Sequence, residues 1–573
     1  MRLEGLTQNT ASGTPLNKSR WVSRLPDILR DSSQAISGNL TAPAGERGRR
    51  IHLATEWVIS ISLVLYAVFA PHSIAITQTS YLIGLTAWGV QLVATRRLPF
   101  RRSPVDIALF GFFACCVVSS FVSYDPLVSI KGLKSPAFFL AFYFVSNKVR
   151  SLRFAGFLGL ALIVSCLVNV GYSAVTLGVG RGLRIDSISP ESPFNSEGIK
   201  VGDVILEADD RVVNSQQDLV RIIESQRGRL RLQLGRKEAL EEISIPRQSI
   251  REAREIGFGL GITTSPGRNF RVMGFYSHYE TYAEVLQLIA ALAVGMLISV
   301  PNKRSGAAIL FVIAIPLLTG TLILTSTRAA LVGFGVAVFW MALASSRRRA
   351  LWIAIGSILV VLPLALLAVE HARGISVFDA EEGSTAYRLE VWREAFGIIK
   401  DNPLVGIGKG SEAKLKRSLG LYDEGRLPPG HFHSTPVQVA VWWGLLGLIF
   451  YAGLMTILVA ESWRLIRKVK SDERWQLSGI AVGGLGAVLA FNVSSLAHFN
   501  FGDGEVVMMF WLLTGLVFAI RRIAHEPGTQ TQDGARPARK EGQSSAGSSR
   551  RSQLQEQAAT SASSVRAARA KQN

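Results

Sequence analysis

YETYAEVLQLIAALAVGMLISVPNKRSGAAILFVIAIPLLTGTLILT, residues 279–325, contains two apolar runs separated by a short polar turn that carries Lys303 and Arg304. About 20 largely apolar residues suffice for a helix to cross a bilayer. Backbone groups in lipid have no water to bond, so such runs are expected to be helices. Outward from this pair the pattern recurs along the chain. It predicts spans at 53–70, 73–94, 106–123, 132–146, 154–177, 279–300, 306–325, 329–345, 350–369, 435–460, 477–496 and 505–520. The fourth is the shortest. The expected fold is an all-α polytopic membrane protein of about 12 transmembrane helices.

Basic residues orient it. Arg96, Arg97, Arg101 and Arg102 follow the second span, and Lys148, Arg150 and Arg153 the fourth. Lys303 and Arg304 follow the sixth, Arg347 to Arg349 the eighth, and Arg464, Arg467, Lys468, Lys470 and Arg474 the tenth. Cytoplasmic loops carry such an excess of Lys and Arg, so every second loop and both termini are expected in the cytoplasm. The 573 residues are 48% hydrophobic and 18% charged with a net charge of +20, and this topology accounts for most of that charge without a nucleic-acid partner. Cys115, Cys116 and Cys166 fall inside expected spans, which indicates no disulfide framework. No HExxH or zinc-type spacing occurs.

The chain divides into a polar cytoplasmic segment at 1–52, expected to be disordered, five spans at 53–179, an outer insert and linker at 180–271, and a second helical region at 272–522. That second region contains an outer loop at 370–434, and the basic segment at 523–573 is expected to be a disordered cytoplasmic tail.

Within the insert, GLRIDSISPESPFNSEGIKVGDVILEADDRVVNSQQDLVRIIESQRGRLRLQLGRKEALEEISIPR reads as a compact α+β module. Ile185 and Ile188, Val204 to Ala208, Leu230/Leu232/Leu234, and Ile243/Ile245 suit strands. Ser215 with Asp218 suits a helix start. The stretch SPESPFNSEGIKVGDVILEADDRVVNSQQDL resembles a bacterial PDZ domain. That resemblance implies a peptide added as a strand, with backbone amides holding its terminal carboxylate. Gly182, Leu183, Arg184 and Ile185 stand where the carboxylate loop belongs, with Arg184 in place of a second glycine. Gly259, Leu260, Gly261 and Ile262 fit the loop pattern better but follow the last expected strand, as a linker would.

In the outer loop, Leu389, Trp392, Phe396 and Ile399 recur at helical spacing, which suits an amphipathic helix at the lipid interface with Trp392 in the headgroup zone. Asn402 and Pro403 should end it, and Gly406, Gly408 and Gly410 allow tight turns. The topology gathers His278, Glu280, Arg328, Arg388, Lys409, His431, His433 and Gln438 at the outer face. Arg328 reads as an interfacial or ion-paired cation, or as an anion-binding one. His433 reads as a helix-start residue or as a hydroxyl-proton acceptor. Glu280 and Glu284 share one helix face and could hold a polar group or pair with the arginines.

RVMGFYSHYETYAEVLQL, LTGTLILTSTRAALVGF, YRLEVWREAFGIIKDNPLVGIGKG and HFHSTPVQVAVWWGLLGLIFY, in this order, resemble the O-antigen ligase/polymerase family of bactoprenol-dependent membrane transferases, over about residues 270–520. His433-Ser434 replaces the family's usual His-Asn pair, and Pro436 a common aromatic. The resemblance implies metal-independent, inverting transfer of a glycan from undecaprenyl diphosphate, with no cofactor, at the periplasmic face of a bacterial inner membrane. The acceptor would be lipid A-core or another glycan or protein hydroxyl. Arg328 and Arg388 match the family's functional arginines and would hold the diphosphate, and His433 matches its catalytic His. His278, Glu280, Lys409 and His431 are further candidate substrate contacts, and the PDZ-like insert a site for a peptide or protein partner. A polysaccharide polymerase and a protein O-oligosaccharyltransferase would share the donor chemistry. A transporter or flippase is the alternative of a different class, but it would place ionisable groups near the bilayer midplane.

The basic-loop alternation predicts that a reporter fused after Gly228 reads as periplasmic and one after Arg348 as cytoplasmic. The opposite readings would put every candidate residue on the wrong face.

Overall fold

The computed structural model describes residues 46–95, 102–236, 239–255, 259–267, 271–345, 348–373, 383–415, 420–421, 430–469 and 474–525. Each of the expected apolar runs is helical. Eight stretches are long and apolar enough to cross a membrane: Arg50–Phe69, Pro126–Lys148, Leu152–Val179, Tyr279–Ser299, Gly306–Leu324, Thr435–Lys468, Trp475–Ser494 and Gly504–His525. Asp106–Phe121 and Arg328–Ala344 are shorter apolar helices. The expected count of about twelve goes beyond these eight. The fourth run is a short helix Pro126–Gly132, a 3-10 turn Pro136–Phe139 and a helix Leu140–Lys148. The ninth is divided by a π-helical turn at Ser357–Val361. The first helix begins at Glu46 rather than Leu53, because intrahelical hydrogen bonding continues past the apolar run. Residues 46–52, expected to be disordered, are therefore helical; the rest of that segment, 1–45, and the tail after 525 lie outside the described residues.

Tyr279–Ser299 is the core helix, buried at every position from Tyr282 to Ala293. A helix that is apolar all round belongs inside a bundle. It packs against Trp475–Ser494, Gly306–Leu324 and Arg328–Ala344. Gly295 and Gly483 allow the closest crossing, since a Cβ on Gly295 would lie 2.2 Å from the Gly483 nitrogen. Small residues at helix crossings let backbones approach where lipid offers no hydrophobic drive. By contrast, Gly306–Leu324 leaves Ile309, Val312, Ile313 and Leu317 exposed, as a lipid-facing stripe would be.

The long Thr435–Lys468 helix is broken at Gly444, whose φ of 70° and ψ of −177° are not helical. The break frees carbonyls that the bundle re-satisfies. Ile407 and Gly408 amides donate to Val441 and Trp442 at 2.9 Å each, and Leu445 donates to Pro403 at 2.7 Å. The Ser119 hydroxyl adds a bond to the Trp442 carbonyl at 2.7 Å. The glycine-rich turns after Pro403 are thus built into the helix bundle. At this depth irregular backbone persists only where protein covers it.

The insert is one antiparallel sheet of β1 (Leu183–Ile188), β2 (Val204–Ala208), β3 (Arg211–Val212), β4 (Arg229–Arg236), β5 (Ala239–Pro246) and β6 (Ile262–Pro266), in the order β5-β4-β2-β1-β6 with β3 on β2. Leu230, Leu232, Leu234, Ile185 and Ile245 fill its core together with Leu219 and Ile223 of the Gln216–Ser225 helix. Ser215 caps that helix, accepting from the Asp218 amide at 3.1 Å. The sixth strand was not expected. Gly259 to Gly261 do not follow the last strand but lead into β6, which Ile262 opens, with Gly259 and Gly261 at positive φ. β1 pairs on both sides, with β2 and with β6, so Gly182 to Ile185 offers no edge to an added strand. β6 lies at the sheet's edge.

Leu260 and Ile262 are buried in the sheet core. Each such side chain contributes about 1.5–3 kcal/mol. A fragment covering residues 180–267 is expected to unfold cooperatively, and one ending at Pro246 to be less stable by at least about 3 kcal/mol, because the fully buried Ile250 is lost as well. Thermal melts followed by circular dichroism compare them, and equal midpoints would show that β6 is dispensable.

Candidate active site

The helix expected in the 370–434 loop spans Gly383–Asp401 and stops just before Asn402 and Pro403, as predicted. Val391, Ala395 and Ile398 form its buried face. Leu389 and Phe396 are exposed. The Trp392 indole N–H donates to the Phe432 carbonyl at 2.7 Å. On the other side the Phe432 amide donates to the Gln438 side-chain oxygen at 2.9 Å. Phe432 is fully buried. Two elements therefore grip the residue between His431 and His433.

His433 is held in a left-handed backbone conformation at φ 46°. For a residue with a side chain this costs about 1–3 kcal/mol and persists only when its surroundings impose it. Its amide donates to His431 Nδ1 at 3.1 Å, and the two rings lie 4.2 Å apart. The Tyr387 ring meets it edge-on at 5.4 Å. His433 Nδ1 is buried without a hydrogen-bond partner among the described residues. Burial, the His431 ring and Arg388 hold the His433 pKa down to about 3 against the opposing charge of Glu280. Burial also lowers that of His431, where Glu280 again opposes it.

Arg388, Glu280, His278, His431 and His433 thus converge on one electrostatic cluster although they come from separate elements. Arg388 is half-buried, and its Nε lacks a partner among the described residues. Glu280 lies in the first turn of the core helix, and His278 is that helix's N-cap. Arg328 opens Arg328–Ala344 just after Ser326, which is at φ 54°. Further along that helix, a Cβ on Gly333 would lie 2.9 Å from the Gln287 side-chain oxygen. Its helix therefore borders Gln287 of the helix that carries Glu280. Lys409 lies two aromatic rings away. Its ammonium is 5.1 Å from the Trp442 ring, which packs at 5.1 Å on Phe499, itself 5.6 Å from His431. Burial pushes Lys409 down to about 8 despite Glu412, and raises Glu412, which accepts the Trp442 indole N–H at 3.0 Å.

The sequence reading missed the floor of this site. His498 Nδ1 bonds Glu284 Oε1 at 2.8 Å, and its Nε2 faces Glu280 at 3.9 Å. Glu284 Oε2 accepts from Ser494 at 2.8 Å, Asn500 at 3.3 Å and Gln287 at 2.5 Å. Thr435 binds this floor to the start of its own helix. Its amide donates to Ser495 and His498, and its hydroxyl to Asn500. Burial opposes charge on His498, but Glu280 and Glu284 outweigh it and raise its pKa. Glu284 pairs with a histidine, not with an arginine. The available signal was polar: Glu284, Gln287 and Ser494 sit inside apolar runs, where polar groups need internal partners.

The family pattern described as O-Antigen ligase matches residues 312–452, and the PDZ domain pattern matches 156–246. The latter begins within the Leu152–Val179 helix and stops before β6. The O-antigen ligase of Pseudomonas aeruginosa is 26% identical over 184 residues, which are 32% of this chain and 42% of that protein. The chain thus matches less than half the length of that relative. Both resemblances read from the sequence are borne out: the chain is similar to the O-antigen ligases in its membrane region and to PDZ domains in its insert. Arg328, Arg388 and His433 all fall inside the ligase match.

Trp392→Phe removes the bond that fixes Phe432 while preserving an aromatic ring. It is expected to cost about 1 kcal/mol of stability, measurable by thermal unfolding. An unchanged melting point would show that the grip on the His431–His433 loop does not depend on the indole.

Proposed function

We propose that this membrane protein, with its O-antigen ligase region and inserted PDZ domain, transfers a glycan from undecaprenyl diphosphate to an acceptor hydroxyl. The transfer takes place at the periplasmic face of a bacterial inner membrane. The observation that carries this reading is the convergence of Arg388 and His433, both within the ligase match, on one cluster at the end of the bundle that bears the insert.

A diphosphate leaving group concentrates negative charge as its C–O bond breaks. Guanidinium forks match its oxygens geometrically and keep their charge, so Arg388 and Arg328 would neutralise it without a metal. His433 would receive or orient the proton of the acceptor hydroxyl. A positioned base contributes about 10²–10⁴-fold. Attack opposite the leaving diphosphate inverts the anomeric carbon. Lipid A-core is the acceptor we favour; a polymerase or a protein O-oligosaccharyltransferase would differ only there. The insert would hold a peptide or protein partner by strand addition to β6, its carboxylate at the amides of Gly259 to Ile262. The free edge of β6 supports this.

Reconstitution with labelled undecaprenyl-diphosphate glycan and lipid A-core tests the reading. Arg328→Lys and Arg388→Ala should weaken donor binding, because a point charge does not replace a two-pronged contact. His433→Ala should bind donor normally and slow transfer by about 10²-fold or more. Full transfer by all three folded variants would sink the mechanism.

A further inference from the structure

The proposed transfer leaves a proton on a buried histidine whose surroundings resist it. The His433 ring lies 4.2 Å from His431 of its own loop and 5.4 Å from Tyr387; His431 is 5.6 Å from Phe499, whose neighbour His498 meets Glu280 at 3.9 Å, and Glu280, Arg388 and His498 all act electrostatically on His433. Glu280 is the one anion in this set. His433 Nδ1 meets no hydrogen-bonding partner among the described residues, so a proton held there would have no counter-ion bonded to it.

Glu280 is not loose. His498 Nε2 faces it at 3.9 Å, and His498 is fixed from behind by the 2.8 Å bond to Glu284. Glu284 in turn accepts from three further donors, Ser494, Asn500 and Gln287, so its carboxylate is fully occupied and the ring of His498 has one orientation. The same loop is pinned to Thr435, two residues after His433, through its His498 carbonyl and Asn500 side chain. The backbone that carries His433 and the chain that holds Glu280 are therefore one rigid assembly.

We infer that Glu280 is a positioning residue for His433: held by His498 and Glu284, its carboxylate stabilises the imidazolium that His433 becomes during transfer. The inference rests on the proposed role of His433. In the step, the acceptor O–H bond breaks and its proton moves to the His433 ring. The acceptor oxygen bonds the anomeric carbon, and the electron pair of the broken C–O bond leaves on the diphosphate. No oxidant or further reactant is required. A carboxylate that stabilises a reacting imidazolium without taking its proton is established chemistry in other hydroxyl-activating sites.

The sign of the effect follows. Glu280 favours the charged form of His433, so removing its charge lowers the pKa of His433 in the donor complex. His433 must be neutral to accept a proton, and the acidic limb of the rate profile should therefore move to lower pH. At the same time the base is weaker, and the plateau falls.

The test uses the full chain in liposomes, with kcat measured against pH at saturating labelled donor. Glu280→Gln is nearly isosteric at a partly buried position, and its folding is checked by thermal unfolding. We expect its acidic limb to move down by about one unit, with a plateau lowered roughly tenfold and donor binding unchanged. Glu280→Asp should restore part of both. His498→Gln should lower the plateau alone, and the double variant should be no worse than Glu280→Gln, because His498 acts through Glu280. An unmoved limb in Glu280→Gln, or complete loss of turnover in that folded variant, would overturn the counter-ion role, the latter making Glu280 the proton acceptor. Independent, multiplying losses in the double variant would overturn the anchoring by His498. Full transfer by His433→Ala would instead defeat the underlying reading, whatever Glu280 does.

Discussion

A carboxylate buried in an apolar helix bundle is costly unless every lone pair is matched, and Glu284 imposes that demand on the functional end of this protein. It sits on a helix buried inside the bundle, so most of its partners must come from neighbouring elements. Gln287 supplies one from its own helix, Ser494 and Asn500 two from the helix and loop beside it, and His498 the fourth. Satisfying Glu284 therefore draws the 494–500 segment over the end of the core helix. Thr435 then docks on that segment and sets where the next long helix begins. His433 and Glu280 take their positions from this arrangement.

A second constraint acts through the backbone. Gly444 breaks the Thr435–Lys468 helix, and the turns after Pro403 fill the gap by donating to its freed carbonyls. Broken membrane helices also occur in transporters, where the irregular backbone lines a cavity. Here the break is plugged by residues 403–408, and it lies toward the end of the helix that carries His433. Through the same turns Lys409 is seated on Trp442. The break thus joins the Gly383–Asp401 helix, with Arg388 and Trp392, firmly to the bundle.

The insert is joined to the site by more than a linker. Arg181 and Gly267 share a backbone hydrogen bond of 2.7 Å, and Gly267 and Gly182 one of 2.9 Å, which close the two ends of the sheet together. Val204 and Leu206 of β2 pack with Met273 and Tyr279. The Arg271 guanidinium lies over the Tyr279 ring at 4.2 Å, and that ring is 5.2 Å from His278. The strand at the sheet's edge is therefore separated by only twelve residues of chain from the helix that bears Glu280.

Local sequence determined the helices, because an apolar run of sufficient length has one low-energy backbone in lipid wherever its neighbours lie. It also determined β1, β2, β4, β5 and the Ser215 cap, whose period-two and capping signals are complete within a few residues. Arg388, Glu280 and the His431–His433 pair could be singled out as polar residues at one end of apolar runs, and motif order tied Arg328, Arg388 and His433 to a chemistry. The position of β6 could not be read, since a strand at Ile262–Pro266 is defined by its pairing with β1, some eighty residues earlier. Nor could Trp392, whose helical spacing suits lipid and protein equally until Phe432 is placed beside it. His498 was passed over for the same reason: a lone histidine in a loop carries no local pattern, and its role comes from Glu284 and Glu280 approaching from another helix. Periodicity and hydrophobicity are properties of a segment, whereas partners for buried charge are a property of packing, and only the tertiary structure decided those.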